Sequence, residues 1–289
     1  MIENILVRGL LNSCVYAMIA IGFSLIFGVA RIINLSHTAF YMVAAYGIFL
    51  FNVQAGFDPI LSIVLSILVV SALGVLSYRY LIDPVRERET STLIVTIAIA
   101  LMMQEIIFIL FGGHYRGAVA LISGHTTLIG VRVTNQYILT LAVVMTALII
   151  VWYLLMKTRL GIAIRAAAQD REIANLMGVD VRKVAIHTMT IAVVLAALAG
   201  AMVAPIYVLE PHMWINPLVI ILAIVILGGL GSIKGTFISA FILGFTEVLV
   251  VIFIPGGAFL KVTFALALMV IILLIRPEGL FGVFLEGER

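Results

Sequence analysis

Apolar residues in this 289-residue chain fall into long runs separated by short polar stretches. A helix needs about 20 mostly apolar residues to cross a lipid hydrocarbon core. By that measure the candidate segments are 5–30, 39–54, 58–81, 91–111, 136–156, 185–209, 217–232, 236–254 and 258–276. Two of them, 39–54 and 217–232, are short. One follows the polar break Arg31-Ile32-Ile33-Asn34-Leu35-Ser36-His37; the other runs into Gly228-Gly229-Leu230-Gly231-Ser232-Ile233-Lys234-Gly235. Irregular backbone at membrane depth is tolerated only where protein or a water-filled cavity surrounds it, and paired interrupted segments point to a transport path. The pattern therefore predicts an all-α fold, a polytopic transmembrane helical bundle of eight or nine spans with broken or short helices. Phe40 and Gly47 share their spacing with Phe237 and Gly244, which suggests an internal repeat.

Composition agrees with this reading. Hydrophobic residues make up 64% of the chain and charged residues 11%, against roughly a quarter charged in a soluble protein; mean hydropathy is +1.28. No Pro/Ser-rich linker divides the sequence, so 1–289 reads as a single transmembrane domain. The first apolar run is too long for a cleaved leader and continues into further spans, so it reads as a retained helix. Cys14 is the only cysteine, which excludes an intrachain disulfide and suggests no Cys-based metal site. The net charge of +3 belongs to loops rather than to a nucleic-acid surface.

The basic residues are unevenly distributed. Arg79, Arg86 and Arg88 flank one loop, Lys157, Arg159, Arg165, Arg171, Arg182 and Lys183 crowd another, and Arg276 follows the last run. The alternate loops hold only Arg116 and Arg132. Cytoplasmic loops carry the Lys/Arg excess, so loops 82–90 and 157–184 and the C-terminus are expected in the cytoplasm. The N-terminus lies outside if both short segments cross.

No phosphate-binding loop, GxSxG or HExxH occurs, and His37, His114, His125, His187 and His212 are too scattered to form a metal cluster. No catalytic residue, cofactor or metal is therefore expected. Asn12, Gln104, Glu105 and Glu247 interrupt apolar runs. A carboxylate in lipid is costly, so these side chains are expected to face the bundle interior or a cavity. They are candidates for a translocation pathway, as are Asn34 and His37 at a membrane border; interhelical hydrogen bonding is the structural alternative for the amides. Gly228, Gly229, Gly231 and Gly235 mark a helix break. Ala192, Ala196, Gly200 and Ala204 recur every four residues, a spacing that lets helices approach closely, within one chain or between subunits.

The loop 157–184 carries the strongest pattern. Residues 163–177 are Ala-rich without Gly or Pro and predict a helix, with Gly178 at its C-terminal cap. Ala167, Ala168, Ile173, Ala174 and Met177 can share one side, opposite the charges. Such a helix suits docking into a groove on a soluble partner or lying on lipid headgroups.

Glu172-Ile173-Ala174-Asn175-Leu176-Met177-Gly178 resembles the EAA-xxx-G coupling element of ATP-binding-cassette importer permeases, with Ile for the second Ala and no downstream I-x-L-P. The chain as a whole resembles the branched-chain amino-acid permease family of the LivH/LivM type. The stretches that carry the resemblance are Gly22–Gly47, the coupling stretch through Val179-Asp180, Ala196–Gly200, Leu227–Gly235 and Arg276–Gly282. The lack of an added N-terminal segment makes the LivH-like partner the more similar. The resemblance implies a second permease subunit, LivM-like or another copy of the chain, two cytoplasmic ATPase subunits and a periplasmic substrate-binding protein, all at the inner membrane. It implies branched-chain or other hydrophobic amino acids as substrates, with urea, amides or aromatic acids as alternatives in the same family. It also assigns ATPase coupling to Gln169, Asp170, Arg171, Glu172, Ala174, Met177 and Gly178. An ion-driven secondary transporter is the rival from another class; its midplane ion site would need acids, which here are few and unpaired in sequence.

Overall fold

The computed structural model describes residues 2–128 and 131–281. Helix α1 (Ile2–Ala30) is the axis of the bundle, buried along most of its length. It ends at Arg31, whose φ of +49° is rare outside glycine and turns the chain. Asn34 then accepts hydrogen bonds at Oδ1 from the Ser36 amide (3.1 Å) and hydroxyl (2.6 Å), which starts α2 (His37–Ile48). A π-helical stretch, Phe49–Gln54, extends α2. The next helix, α3 (Pro59–Ser77), begins with an Asp58 cap and Pro59 in the first turn, where a missing N–H costs nothing. It continues through a π turn and a short 3₁₀ turn to Val85.

After α4 (Glu89–Phe111) comes a small antiparallel hairpin, β1 (His125–Leu128) and β2 (Val131–Thr134). The chain then runs through α5 (Asn135–Lys157), α6 (Arg159–Gln169), α7 (Arg171–Leu176), α8 (Val181–Val203), α9 (Ile215–Gly228), α10 (Ile233–Phe253) and α11 (Gly257–Ile275). Among the described residues the fold is all-α apart from this hairpin, which falls in the stretch expected to be a loop between α4 and α5.

Among the described residues, seven helical segments are long and apolar enough to cross a membrane. The expectation was eight or nine. The difference lies in α2 and α9, the two short segments: the 14 residues of α9 extend about 21 Å, less than the ~30 Å hydrocarbon core. The run 185–209 is also shorter as a helix, because Pro205 cannot continue it and α8 stops at Val203.

The core is a cross of α1, α2 and α8, with α10 against α1. The stripe Ala192, Ala196, Gly200 and Ala204 is buried inside this cross, and Gly200 abuts the backbone carbonyl of Tyr41 in α2. Its small residues therefore serve packing within the chain. Outward faces of α3, α4, α5 and α11 expose Leu68, Ile94, Ile149 and Leu274, the reverse of a soluble protein.

Gly47 and Gly244 occupy alike positions. Ser66 donates to the Ala44 carbonyl (2.8 Å) beside Gly47, and Ser13 donates to the Phe241 carbonyl (3.4 Å) beside Gly244. Ser66 lies on α3 and Ser13 on α1, so the local packing recurs with different partner helices.

Candidate functional site

The polar residues of the spans gather mainly at one depth, in the half of the bundle that holds the start of α1. There Glu247 of α10 is buried, and its carboxylate accepts from Lys261 Nζ at 2.9 Å and from the Tyr16 hydroxyl at 2.6 Å. A buried carboxylate requires such partners, and this three-membered cluster ties α1, α10 and α11 together. Close by, the Tyr207 hydroxyl donates to Asn12 Oδ1 at 3.2 Å. These groups border an open cavity of about 140 Å³, lined by Asn12, Tyr16, Tyr41, Tyr207, Glu210, Asn216 and Lys261, with Leu11, Val15 and Met213 on its apolar side. Asn12 thus lines the cavity, and Glu247 stands behind Lys261.

The other pathway candidates lie elsewhere. His37 is fully buried, and its Nε2 is 3.0 Å from the Ile19 carbonyl; since a carbonyl only accepts, the ring donates there and pins α2 to α1. Asn34, also fully buried, shapes the α1–α2 turn. Gln104 accepts at Oε1 from Trp214 Nε1 at 2.8 Å and joins α4 to the start of α9. Glu105 overturns its expectation: it is exposed on the outer face of α4, and its Oε1 accepts from Gln104 Nε2 at 3.2 Å. Met103 and Gln104 share the buried face of α4, and Glu105, about 100° further round, falls outside it.

The helix break is a tight turn between α9 and α10. Gly229 and Gly231 have φ of +94° and +82°, conformations that suit glycine. The α9 end and α10 start touch at Gly228 and Gly235, where any side chain would meet backbone. The C-terminal segment closes over this turn, since the amides of Leu280 and Phe281 donate to the carbonyls of Leu227 (2.8 Å) and Gly228 (3.2 Å). The break thus sits at the end of the bundle opposite the cavity.

That same end carries α6 and α7. The single helix expected over 163–177 is two, because the Asp170 carboxylate leaves the helix and accepts from the Ile173 amide at 2.9 Å, capping a new one. Gln169 is the last residue of α6. Helix α7 ends as the residues suggested: Gly178 has φ of +87°, its amide donates to the Asn175 carbonyl, and the Val179 amide donates to the Ala174 carbonyl, both at 3.0 Å.

The faces of α7 depart from expectation. Ala174 is 4% exposed and packs inward, whereas Ile173, Leu176 and Met177 are 59%, 85% and 80% exposed. The amphipathic reading placed Ala174 with Ile173 and Met177, but these lie about 100° and 60° around α7 from Ala174, and of the three only Ala174 meets the bundle. The α7 helix is fastened to the bundle through Arg171, whose Nε donates to the Val29 carbonyl at 2.7 Å. Burial and the nearby guanidinium of Arg86 push the Arg171 pKa below its ordinary value. Asp180 caps α8 and is held below its usual pKa by the Lys183 amide and ammonium. Arg182 grips Asp83 at 2.8 and 2.9 Å, tying the loop to the end of α3. Arg86, Arg171, Glu172, Asn175 and Asp180 line the cleft between these elements.

Residues 5–273 match the family described as branched-chain amino acid transport system / permease component. The chain belongs to this permease family. Its relatives include the high-affinity branched-chain amino acid transport system permease protein LivH of Escherichia coli, 26% identical over 95% of this chain and 94% of that one. The protein BraD of Pseudomonas aeruginosa, of the same description, is 28% identical over 96% and 94%. A probable branched-chain amino acid transport permease protein LivH of Methanocaldococcus jannaschii is 28% identical over 97% and 93%. Among solved structures, PsaBC from Streptococcus pneumoniae in complex with Fab shares the fold, with a TM-score of 0.54 and 16% identity over 95% of this chain and 92% of that one.

As a permease component, the chain is the non-catalytic membrane subunit of its transporter, a multi-pass protein of the inner membrane. Among the described residues, no three His, Cys, Asp or Glu side chains are placed to hold a metal. Sequence reasoning missed Lys261, which was absorbed into the run 258–276. The signal was present: a helical hairpin across the turn before Gly257 brings Lys261 to the depth of Glu247.

Proposed function

We propose that the chain carries branched-chain or other hydrophobic amino acids inward as one permease of an ATP-driven importer. The full-length family match carries this reading, because its relatives bear that description from end to end. In this assignment the single domain 1–289 crosses the membrane nine times, with α2 and α9 as the short crossings. The Lys/Arg-rich end with α7 and the C-terminus faces the cytoplasm, and the cavity faces outward. The exposed Ile173, Leu176 and Met177 form the apolar face that two cytoplasmic ATPase subunits would take, one for each permease. The positioning residues behind that face are Gln169, Asp170, Arg171, Glu172, Ala174 and Gly178. A periplasmic substrate-binding protein docks at the opposite end, and a second permease, LivM-like or another copy, completes the pathway. Glu105 on the outer face of α4 supports a protein or water neighbour there, since lipid would leave its carboxylate unsolvated.

The test is reconstitution. This chain is co-expressed with an ATP-binding-cassette ATPase and a second permease from its source, and the complex is placed in proteoliposomes with the binding protein. ATP-dependent uptake of labelled leucine is the expected result. A complex that forms and hydrolyses ATP but moves no aliphatic amino acid overturns the substrate assignment.

A further inference from the structure

The cavity beside Lys261 combines three properties. Its lining is both polar and apolar, with Asn12, Tyr207, Glu210, Asn216 and Lys261 beside Leu11, Val15 and Met213. Charges of both signs line it: Glu210 and Lys261 lie on its wall, with Glu247 behind Lys261. Its volume of about 140 Å³ exceeds one water many times over, given the ~10–15 Å³ that a water requires on this measure. Such a space inside a membrane bundle is not a packing defect, because packing defects are apolar and small.

We propose that this cavity is a transient binding subsite for the zwitterionic form of an aliphatic amino acid. Lys261 takes the α-carboxylate, Glu210 takes the α-ammonium, and the side chain lies against Leu11, Val15 and Met213. An ammonium has three N–H donors, and Lys261 gives one to Glu247 at 2.9 Å, so it can serve a ligand carboxylate without breaking that pair. Glu210 takes part in no ion pair among the described residues, which leaves its carboxylate for a cation. One ammonium, Lys261, and one carboxylate, Glu210, line the site, so it favours a ligand with no net charge but a charge at each end over a simple anion or cation. A lipid acyl chain would leave the Glu210 charge uncompensated.

This inference rests on the importer reading and deepens it, and its test separates the two. The permease–ATPase complex in nanodiscs, without binding protein, is heated in the presence of leucine, 4-methylpentanoate or isopentylamine. Leucine should raise the unfolding temperature, and the two singly charged analogues should not. Glu210→Gln and Tyr207→Phe leave the Lys261–Glu247 pair intact, so they test the site where Lys261→Met fails to fold. Glu210→Gln should abolish the leucine shift and lower leucine uptake about tenfold or more, the scale of one lost charge-assisted hydrogen bond. Absence of a leucine shift in the wild-type complex overturns the subsite, as does an equal shift by all three compounds or an unchanged shift in Glu210→Gln. If the wild-type complex takes up leucine with ATP while any of these holds, the subsite fails and the importer reading stands. If, in proteoliposomes with the binding protein, it hydrolyses ATP but takes up none, the substrate assignment is the one that fails.

Discussion

Arg171 reaches from the first residue of α7 to the carbonyl of Val29 in the last turn of α1, a 2.7 Å hydrogen bond. The last carbonyls of a helix lack partners within it, and a cation there also meets the negative end of the helix dipole. Val29 lies about 20 Å along α1 from Tyr16, given 1.5 Å per residue, and Tyr16 belongs to the Glu247–Lys261 cluster. One buried helix therefore touches both the α7 surface and the cavity. Arg171→Ala should leave the ATPase bound but lower leucine uptake per ATP hydrolysed about tenfold, matching a charged hydrogen bond of ~1.5–3 kcal/mol. An unchanged ratio of uptake to hydrolysis would remove Arg171 from the coupling route.

The two faces of α7 should respond differently to charge. Leu176→Asp puts a carboxylate on the exposed face and should abolish co-purification of the ATPase, while insertion and thermal stability hold. Ala174→Glu forces a larger, charged side chain into a packed site, at about 1–3 kcal/mol for the overpacking alone. It should destabilise the loop itself, seen as faster proteolysis between α5 and α8. Full ATPase capture by the Leu176→Asp chain would show that another surface docks the ATPase.

Gly178 permits the left-handed cap of α7. A side chain there costs ~1–2 kcal/mol, least for Asn. No atom outside the immediate chain neighbours lies within 4 Å of an added Cβ, so the strain is backbone alone. Uptake should fall in the order wild type, Gly178→Asn, Gly178→Val. Equal uptake by Gly178→Val and wild type would mean the α7 end needs no fixed geometry.

Removing one partner of a buried ion pair is worse than removing both. Glu247→Leu removes the partner of Lys261, whose side chain is part-exposed to the cavity, and should lower stability by ~1–3 kcal/mol, whereas Glu247→Gln retains hydrogen bonds to Tyr16 and Lys261. The double variant Glu247→Leu with Lys261→Leu should recover most of the lost stability and little of the uptake. Thermal unfolding in detergent and leucine uptake read these apart; a double variant as unstable as Glu247→Leu would contradict the pairing.

Orientation is open to a labelling experiment. With Cys14 replaced by Ser, single cysteines go in at Asn175 and at Thr127 of the hairpin, both exposed. In intact cells an impermeant thiol reagent should modify only the Thr127 site. Modification at Asn175 would invert the proposed topology.

The long apolar runs were legible in the sequence because hydrophobic length is a local property that lipid enforces on each segment alone. The caps at Asp58 and Asp180, the turn at Gly229 and Gly231 and the helix end at Gly178 are similarly local, set by backbone conformation within a few residues. Which face of a helix points inward was a different matter. Glu105 looked like an interior carboxylate and Ala174 like part of an exposed face, and the structure reverses both. Rotation about a helix axis depends on the neighbours packed against it, and one residue's displacement turns a side chain by about 100°. The pairs Asp83–Arg182 and Arg171–Val29 likewise join elements far apart in the chain. Only the packing of α7 against α1 and of α8 against the end of α3 brings them within reach, because no pattern along a single helix specifies its partner.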